Sequence, residues 1–322
     1  MAADTHRQQA LQQAANAARY APSVHNTQPW RWVVRPDRLE LYAVTDRQLP
    51  VQDPEGHLLL TSCGTALHHA CIALAAAGWS YRIDRPADAP LAVLHPIELG
   101  PVDPTAIRHF EQLQVRHTDR RTVTDDPVAP AVLDDLVQVS EAAGARLHVL
   151  SRDQVIELAV LVEHAQKAEG ADERLQAETA AWVGGERPAG TGIPAASLPQ
   201  EVPLTTVAER DFGAAGSLPP GAGHDAAATY GVLYGPGDEP ADWLRAGEAL
   251  DALWLKATEH GVSLLPLSSP VEVPFTRFEL RRMLGDIGYP YLVVRLGSLD
   301  PDHAGPAHTP RLPTDQVIDV VE

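Results

Sequence analysis

Cysteine is nearly absent from this 322-residue chain, and the two present, Cys63 and Cys71, exclude a disulfide framework and fit no metal or redox spacing. Eight positions apart on a helix they share a face, so buried packing is their favoured role. Cations are scarce too. Lys and Arg total 25 against 43 Asp and Glu, for a formal charge of -18. That balance excludes nonspecific nucleic-acid binding, which needs cationic side chains against phosphate, and opposes contact with an anionic membrane surface. No uninterrupted apolar stretch approaches membrane-spanning length, the run around Cys71 to Trp79 being short and alanine-rich. Met1 to Gln13 lacks the basic start and apolar centre of a secretory signal, so the cytoplasm is the expected location. No Gly-x-Gly-x-x-Gly follows a strand, and there is no Walker loop and no Gly-x-Ser-x-Gly elbow. Of 14 histidines none forms a helical His-x-x-x-His pair around a carboxylate, and adjacent His68 and His69 point to different sides of a helix, which argues against zinc.

Apolar residues make up 44% of the chain, enough for one large domain or two intimately packed ones. An amphipathic helix carries Leu11, Ala14, Ala15 and Ala18 on one face, with Asp4 or Thr5 as candidate caps. The prolines at 22 and 29 make residues 21–29 a loop. Strands are expected over 31–34 and 39–42, a helix over 58–77 ending at Gly78, and a strand over 91–94. After a seam at 100–104 come helices over 104–115, 130–143 and 153–167, with a strand over 146–150. Residues 184–223 are rich in Gly and Pro and read as a long irregular segment, a cover over a site being one role open to it. Beyond it follow a strand at 229–234, helices at 242–259 and 275–284, a strand at 289–296 and an extended apolar tail over 310–322. Helices and strands mix without a regular βαβ cadence, which favours an α+β fold.

Two stretches could carry chemistry. Ala21-Pro22-Ser23-Val24-His25-Asn26-Thr27-Gln28-Pro29-Trp30 gathers a hydroxyl, an imidazole, two carboxamides and an indole between prolines that stiffen the loop. Carboxamides offer donor and acceptor together, which suits the edge of a heterocycle. Taken alone, a turn leading into a strand with Trp30 as a core anchor explains the stretch slightly better. Arg116-His117-Thr118-Asp119-Arg120-Arg121 is a local positive site whose guanidinium forks match phosphate. Taken alone, surface ion pairs with Asp119, Asp125 and Asp126, nearly neutral in energy, explain it better.

Together the stretches change that balance. Pro-Ser-x-x-Asn-x-Gln-Pro-Trp after a helix resembles the signature loop of FMN-dependent nitroreductases, and Arg-His-Thr-x-Arg resembles the Arg-x-Ser-x-Arg element that opens their domains. The order is reversed from the usual member. With Asp53-Pro54-x-Gly56, Ser62-Cys63-Gly64 and Leu312-Pro313-Thr314-Asp315, the whole chain resembles the Acg branch of that superfamily. The resemblance implies a nitroreductase-like α+β fold, internally duplicated so that one chain mimics the usual homodimer. Residues 1–103 form the half with the loop and 104–322 the half with the arginine element. Since Ala142-Ala143-Gly144-Ala145-Arg146 lacks the loop motif, one FMN per chain and a monomeric pseudo-dimer are expected. By the same resemblance Arg116, Thr118 and Arg120 hold the phosphate and ribityl end, and Arg311 stands near the phosphate. Pro22, Ser23, Val24 and Asn26 lie against the isoalloxazine, while Gln28 and Trp30 shape the loop. No catalytic side chain is expected. Thr122 stands where an aromatic usually follows the arginine element, and the 184–223 segment is foreign to minimal nitroreductases. The implied activity is NAD(P)H-dependent reduction of nitro, quinone or related electrophilic compounds. The alternative is a stress-associated FMN store with a covered flavin.

Overall fold

A computed structural model describes residues 2–183, 187–201, 203, 205–213, 216–221, 223–299, 306 and 308–321. Gly184, where the irregular segment was expected to begin, lies outside them.

The first sheet starts from a hairpin. β1 (Trp30–Val34) buries Trp30, Trp32 and Val34 on one face, and the turn at 35–38 returns the chain as β2 (Leu39–Ala43), paired antiparallel from Trp30↔Ala43 to Val34↔Leu39. β3 (Trp79–Asp84) and β4 (Ala92–Leu99) extend this sheet beyond β2. Its other edge is completed from the far end of the chain. β9 (Ile318–Val320) runs parallel to β1, with Trp32 opposite Ile318. The tail therefore returns to the N-terminal half, carrying residues 308–312 past the 22–28 loop. The second sheet has the order β5 (Arg146–Val149), β6 (Thr229–Gly235), β8 (Tyr289–Ser298), β7 (Val262–Leu267), all antiparallel.

Two long helices lie between the sheets. α1 (Ala2–Ala18) and α2 (His57–Ala76) cover the first sheet, with α3 (Pro104–Val115) crossing from α2 to α7 (Pro240–Glu259). α7 covers the second sheet and packs along α2. α4 (Pro130–Ala142) flanks α7, while α5 (Arg152–Ala171), α6 (Glu173–Trp182), α8 (Ser269–Glu272) and α9 (Pro274–Met283) complete the outer layer. The α2–α7 crossing depends on glycine. A Cβ at Gly64 would stand 2.0 Å from the Leu244 carbonyl oxygen, and one at Gly247 2.0 Å from that of Thr61. Only paired glycines let two backbones approach so closely.

Two large apolar cores result among the described residues. One is built on Trp30, Trp32, Leu41, Leu67 and Leu74 and takes in Leu312, Val317 and Ile318 of the tail; the other is built on Tyr230, Trp243, Leu253, Val293 and Leu296. α2 is long and apolar enough to cross a membrane, which the reading of a short run around Cys71 to Trp79 did not foresee. Most of it is buried inside the fold, and Cys63 and Cys71 are packed within it as free thiols, pushed up from their ordinary pKa by burial.

Candidate functional site

The 22–28 loop is held in an unusual shape. His25, Asn26 and Gln28 all take positive φ (45°, 56° and 50°), a conformation side chains other than glycine pay for and one that clusters at functional sites. What compensates is docking on α2. The Val24 amide donates to Ser62 Oγ (3.1 Å), Thr65 Oγ1 to the Pro22 carbonyl (2.7 Å), and the Gln28 amide to Ser23 Oγ (3.0 Å). Trp30 is fully buried in the first core. Gln28 shapes the loop, its amide donating to the Gly190 carbonyl (2.7 Å) and accepting from the Leu312 backbone (3.0 Å).

This loop edges a chamber whose lining is drawn from α2, α7, the arginine element and the irregular segment. Pro22, Ser23, Val24 and His25 form one wall with Thr61, Ser62 and Thr65 of α2, while Leu250 and Trp254 of α7 and residues 265–270, from the end of β7 into α8, form another. Thr118 and Arg120 reach in from the arginine element, and Glu209, Arg210 and Phe212 close over from the irregular segment. Pro22, Ser23, His25, Thr118 and Arg120 also line a smaller adjoining hollow, so the two spaces share a wall.

That smaller hollow is cationic. Arg116, Arg120 and Arg311 line it with His117 and His308, and among its described lining residues there is no carboxylate. Arg116 is 4% exposed; its guanidinium lies 4.5 Å from the Trp254 ring centre, and its Nε and Nη1 make no hydrogen bond. Desolvation lowers its pKa to about 10 and that of Arg311, which also faces Arg116, to about 9. Arg311 Nη2 donates to the Tyr20 carbonyl (2.9 Å), and its Nε is without a partner. Arg120 Nη1 donates to the Ser197 carbonyl (3.1 Å). Asp119 pairs with Arg121 at 2.6 Å, and from outside the hollow's lining Glu209 and then Asp119 attract Arg120. Buried cations normally have partners because stripping their hydration is costly. Orphaned guanidinium nitrogens in a pocket without acid are the complement of an anion with several oxygens, and phosphate fits them.

Of the eight residues singled out from the sequence, Pro22, Ser23, Val24, Thr118 and Arg120 line the chamber, and Arg116 and Arg311 the cationic hollow. Asn26 differs. It lines the hollow rather than the chamber, and its Nδ2 donates to the Gly192 (3.1 Å) and Pro310 (3.0 Å) carbonyls, so it ties the loop to the irregular segment and the tail.

Sequence reasoning missed His25, Trp254, Glu209, Arg210 and Phe212. Trp254 sits in a helix pattern that reads as core, and 208–212 has no periodicity to place it. His25 is neutral: burial, then the nearby Arg210 and Arg120 charges, lowers its pKa to about 3. Its Nε2 lies 2.7 Å from Gln52 Oε1, an acceptor, so Nε2 carries the proton. Gln52 Nε2 in turn donates to Glu272 (2.9 Å). Among the described residues no cluster could hold a metal.

Two helix-covered sheets joined along α2 and α7, with a site built from both, define a nitroreductase-like α+β protein. No protein-family profile matches the chain. It is 33% identical over 311 residues to the "Putative NAD(P)H nitroreductase Rv3131" of Mycobacterium tuberculosis H37Rv, covering 93% of this chain and 88% of that one. It is 31% identical to the "Putative NAD(P)H nitroreductase acg" of the same strain, covering 96% and 95%. The chain belongs to this Acg-type branch of the nitroreductase superfamily. Among solved structures, a nitroreductase with bound FMN from Bacteroides fragilis matches 66% of this chain and 98% of its own, at 14% identity and a TM-score of 0.41.

Proposed function

We propose that the protein holds one FMN per chain between its halves and works as an NAD(P)H-dependent reductase of nitro, quinone or related electrophilic compounds. The observation that carries this reading is the cationic hollow: buried Arg116 and half-buried Arg120 and Arg311, with no acid among its described lining residues, opening beside a chamber edged by the Pro22–Val24 loop. Arg116, Arg120, Thr118 and Arg311 would hold the phosphate, and Pro22, Ser23 and Val24 would lie along the ring. When bound, FMN supplies the hydride and electron transfer. The chain's own part is to bind it, orient it and shield it from water. The FMN named in the B. fragilis structure and the activity named for the mycobacterial relatives agree with this reading.

A single site is the reading favoured here. The chain is taken as two nitroreductase-like halves, 1–103 and 104–322, whose shared α2–α7 seam is internal, so a monomer is expected. Where the second half would need its own loop, residues 142–146 make only the short link from α4 to β5, without a carboxamide or hydroxyl.

A second reading, an FMN store without turnover, is favoured by one observation. Phe212 stacks edge-on to His25 (5.7 Å between centroids) and Arg210 is clamped between Glu169 and Glu272, so the cover is fastened down. Anaerobic titration of the FMN-loaded protein with NADPH and NADH separates the two. Bleaching of the flavin within seconds is expected for the reductase; a stoichiometric flavin that neither nucleotide reduces would replace that reading with storage.

A further inference from the structure

Arg295, on β8, is 1% exposed and lines neither cavity. It nevertheless touches Glu209 of the chamber's lining and the backbone on either side of Arg120. Its Nη1 donates to Glu209 Oε1 (2.5 Å) and Asp225 Oδ2 (2.8 Å), and its Nη2 to the carbonyls of Arg121 (2.7 Å) and Asp119 (3.4 Å). Those two carbonyls flank Arg120, and the other Asp225 oxygen accepts the Val123 amide (2.7 Å), just beyond the same segment. One buried guanidinium thus grips the backbone on both sides of Arg120 and, with its other nitrogen, the carboxylate of the cover. The next residue, Arg210, anchors the cover in the opposite direction, to Glu169 (3.1 Å) and Glu272 (2.5 Å). Phe212 then lies under Arg120, 5.3 Å from its guanidinium carbon to the ring centre.

We propose that Arg295 is a positioning residue that couples the 208–212 cover to the phosphate-binding segment, so that loss of its bond to Glu209 loosens the cover and the grip on FMN together. The proposal rests on the FMN reading given above. Closure and phosphate binding share one hub because the fork of an arginine can satisfy two carboxylates and two carbonyls at once, one acceptor more than a lysine has donors.

The test compares wild type, Glu209→Gln and Arg295→Lys by two readouts: the rate of FMN release on dilution, and tryptic cleavage after Arg210 in the FMN-free protein. Glu209→Gln should release FMN about tenfold faster or more, the scale of one charge-assisted hydrogen bond. Its Arg210 bond should also be cut faster. Arg295→Lys should fall on the same side; should it not fold, Glu209→Gln still decides. Wild-type rates of release and cleavage in Glu209→Gln would overturn the coupling while leaving FMN binding intact. Wild-type protein that binds no FMN would overturn the cofactor reading instead, and unchanged cleavage in Glu209→Gln would then still overturn the latch.

Discussion

Arg116→Ala is expected to weaken FMN binding by about a hundredfold, with the FMN-free protein as stable as wild type or slightly more so. The magnitude follows from two guanidinium nitrogens, Nε and Nη1, that are buried with no hydrogen-bond partner. Each charge-assisted bond to a phosphate oxygen would contribute roughly 1.5 kcal/mol or more, and about 1.4 kcal/mol is a factor of ten. The sign on stability follows from the same fact. A buried cation beside Arg311, with its pKa lowered to about 10, costs the folded protein desolvation that its removal relieves. Flavin-fluorescence titration beside thermal melts of the FMN-free proteins reads both effects. Unchanged affinity would remove Arg116 from the phosphate site, and a large fall in melting temperature would make it a structural residue.

Gly64→Val should destabilise the fold by more than about 4 kcal/mol, enough to lose cooperative folding in a protein of ordinary stability. The added Cβ would meet the Leu244 carbonyl oxygen at 2.0 Å and Gly247 Cα at 2.8 Å, both backbone atoms that cannot rotate away. α2 and α7 would have to separate, opening the seam that joins the two cores. Gly170→Ala in α5 is the control: nothing lies within 4 Å of a Cβ there, and it should stabilise by up to about 1 kcal/mol through helix propensity. Chemical denaturation of the three proteins measures this. A Gly64→Val protein within 1 kcal/mol of wild type, by the error of such titrations about the smallest difference that matters, would mean the crossing is looser than described.

Local pattern was sufficient for much of the fold. The Trp30–Ala43 hairpin, α2, α3, α4, α7 and β8 follow from alternation, helical spacing and Gly or Pro punctuation. β3 escaped notice because it begins at Trp79, directly after the helix-ending Gly78. β7 escaped because Pro266 interrupts its apolar run, and α6 because its polar surface merges with the end of α5. Sheet order and the return of β9 to β1 are long-range pairings that no local window contains. The site divides the same way. Arg116, Thr118, Arg120 and the 22–26 loop stand in contiguous motifs. Glu209, Arg210 and Phe212 come from irregular chain, and Arg295 looks like one polar residue in a buried strand. Its meaning appears only once Glu209, Asp225 and the carbonyls around Arg120 converge on it.

Flavin stoichiometry tests the proposed single site most directly. Protein reconstituted with excess FMN, freed of unbound flavin and assayed for both components should contain one FMN per chain and run as a monomer. Two flavins per chain, one flavin shared by two chains, or none retained would contradict it.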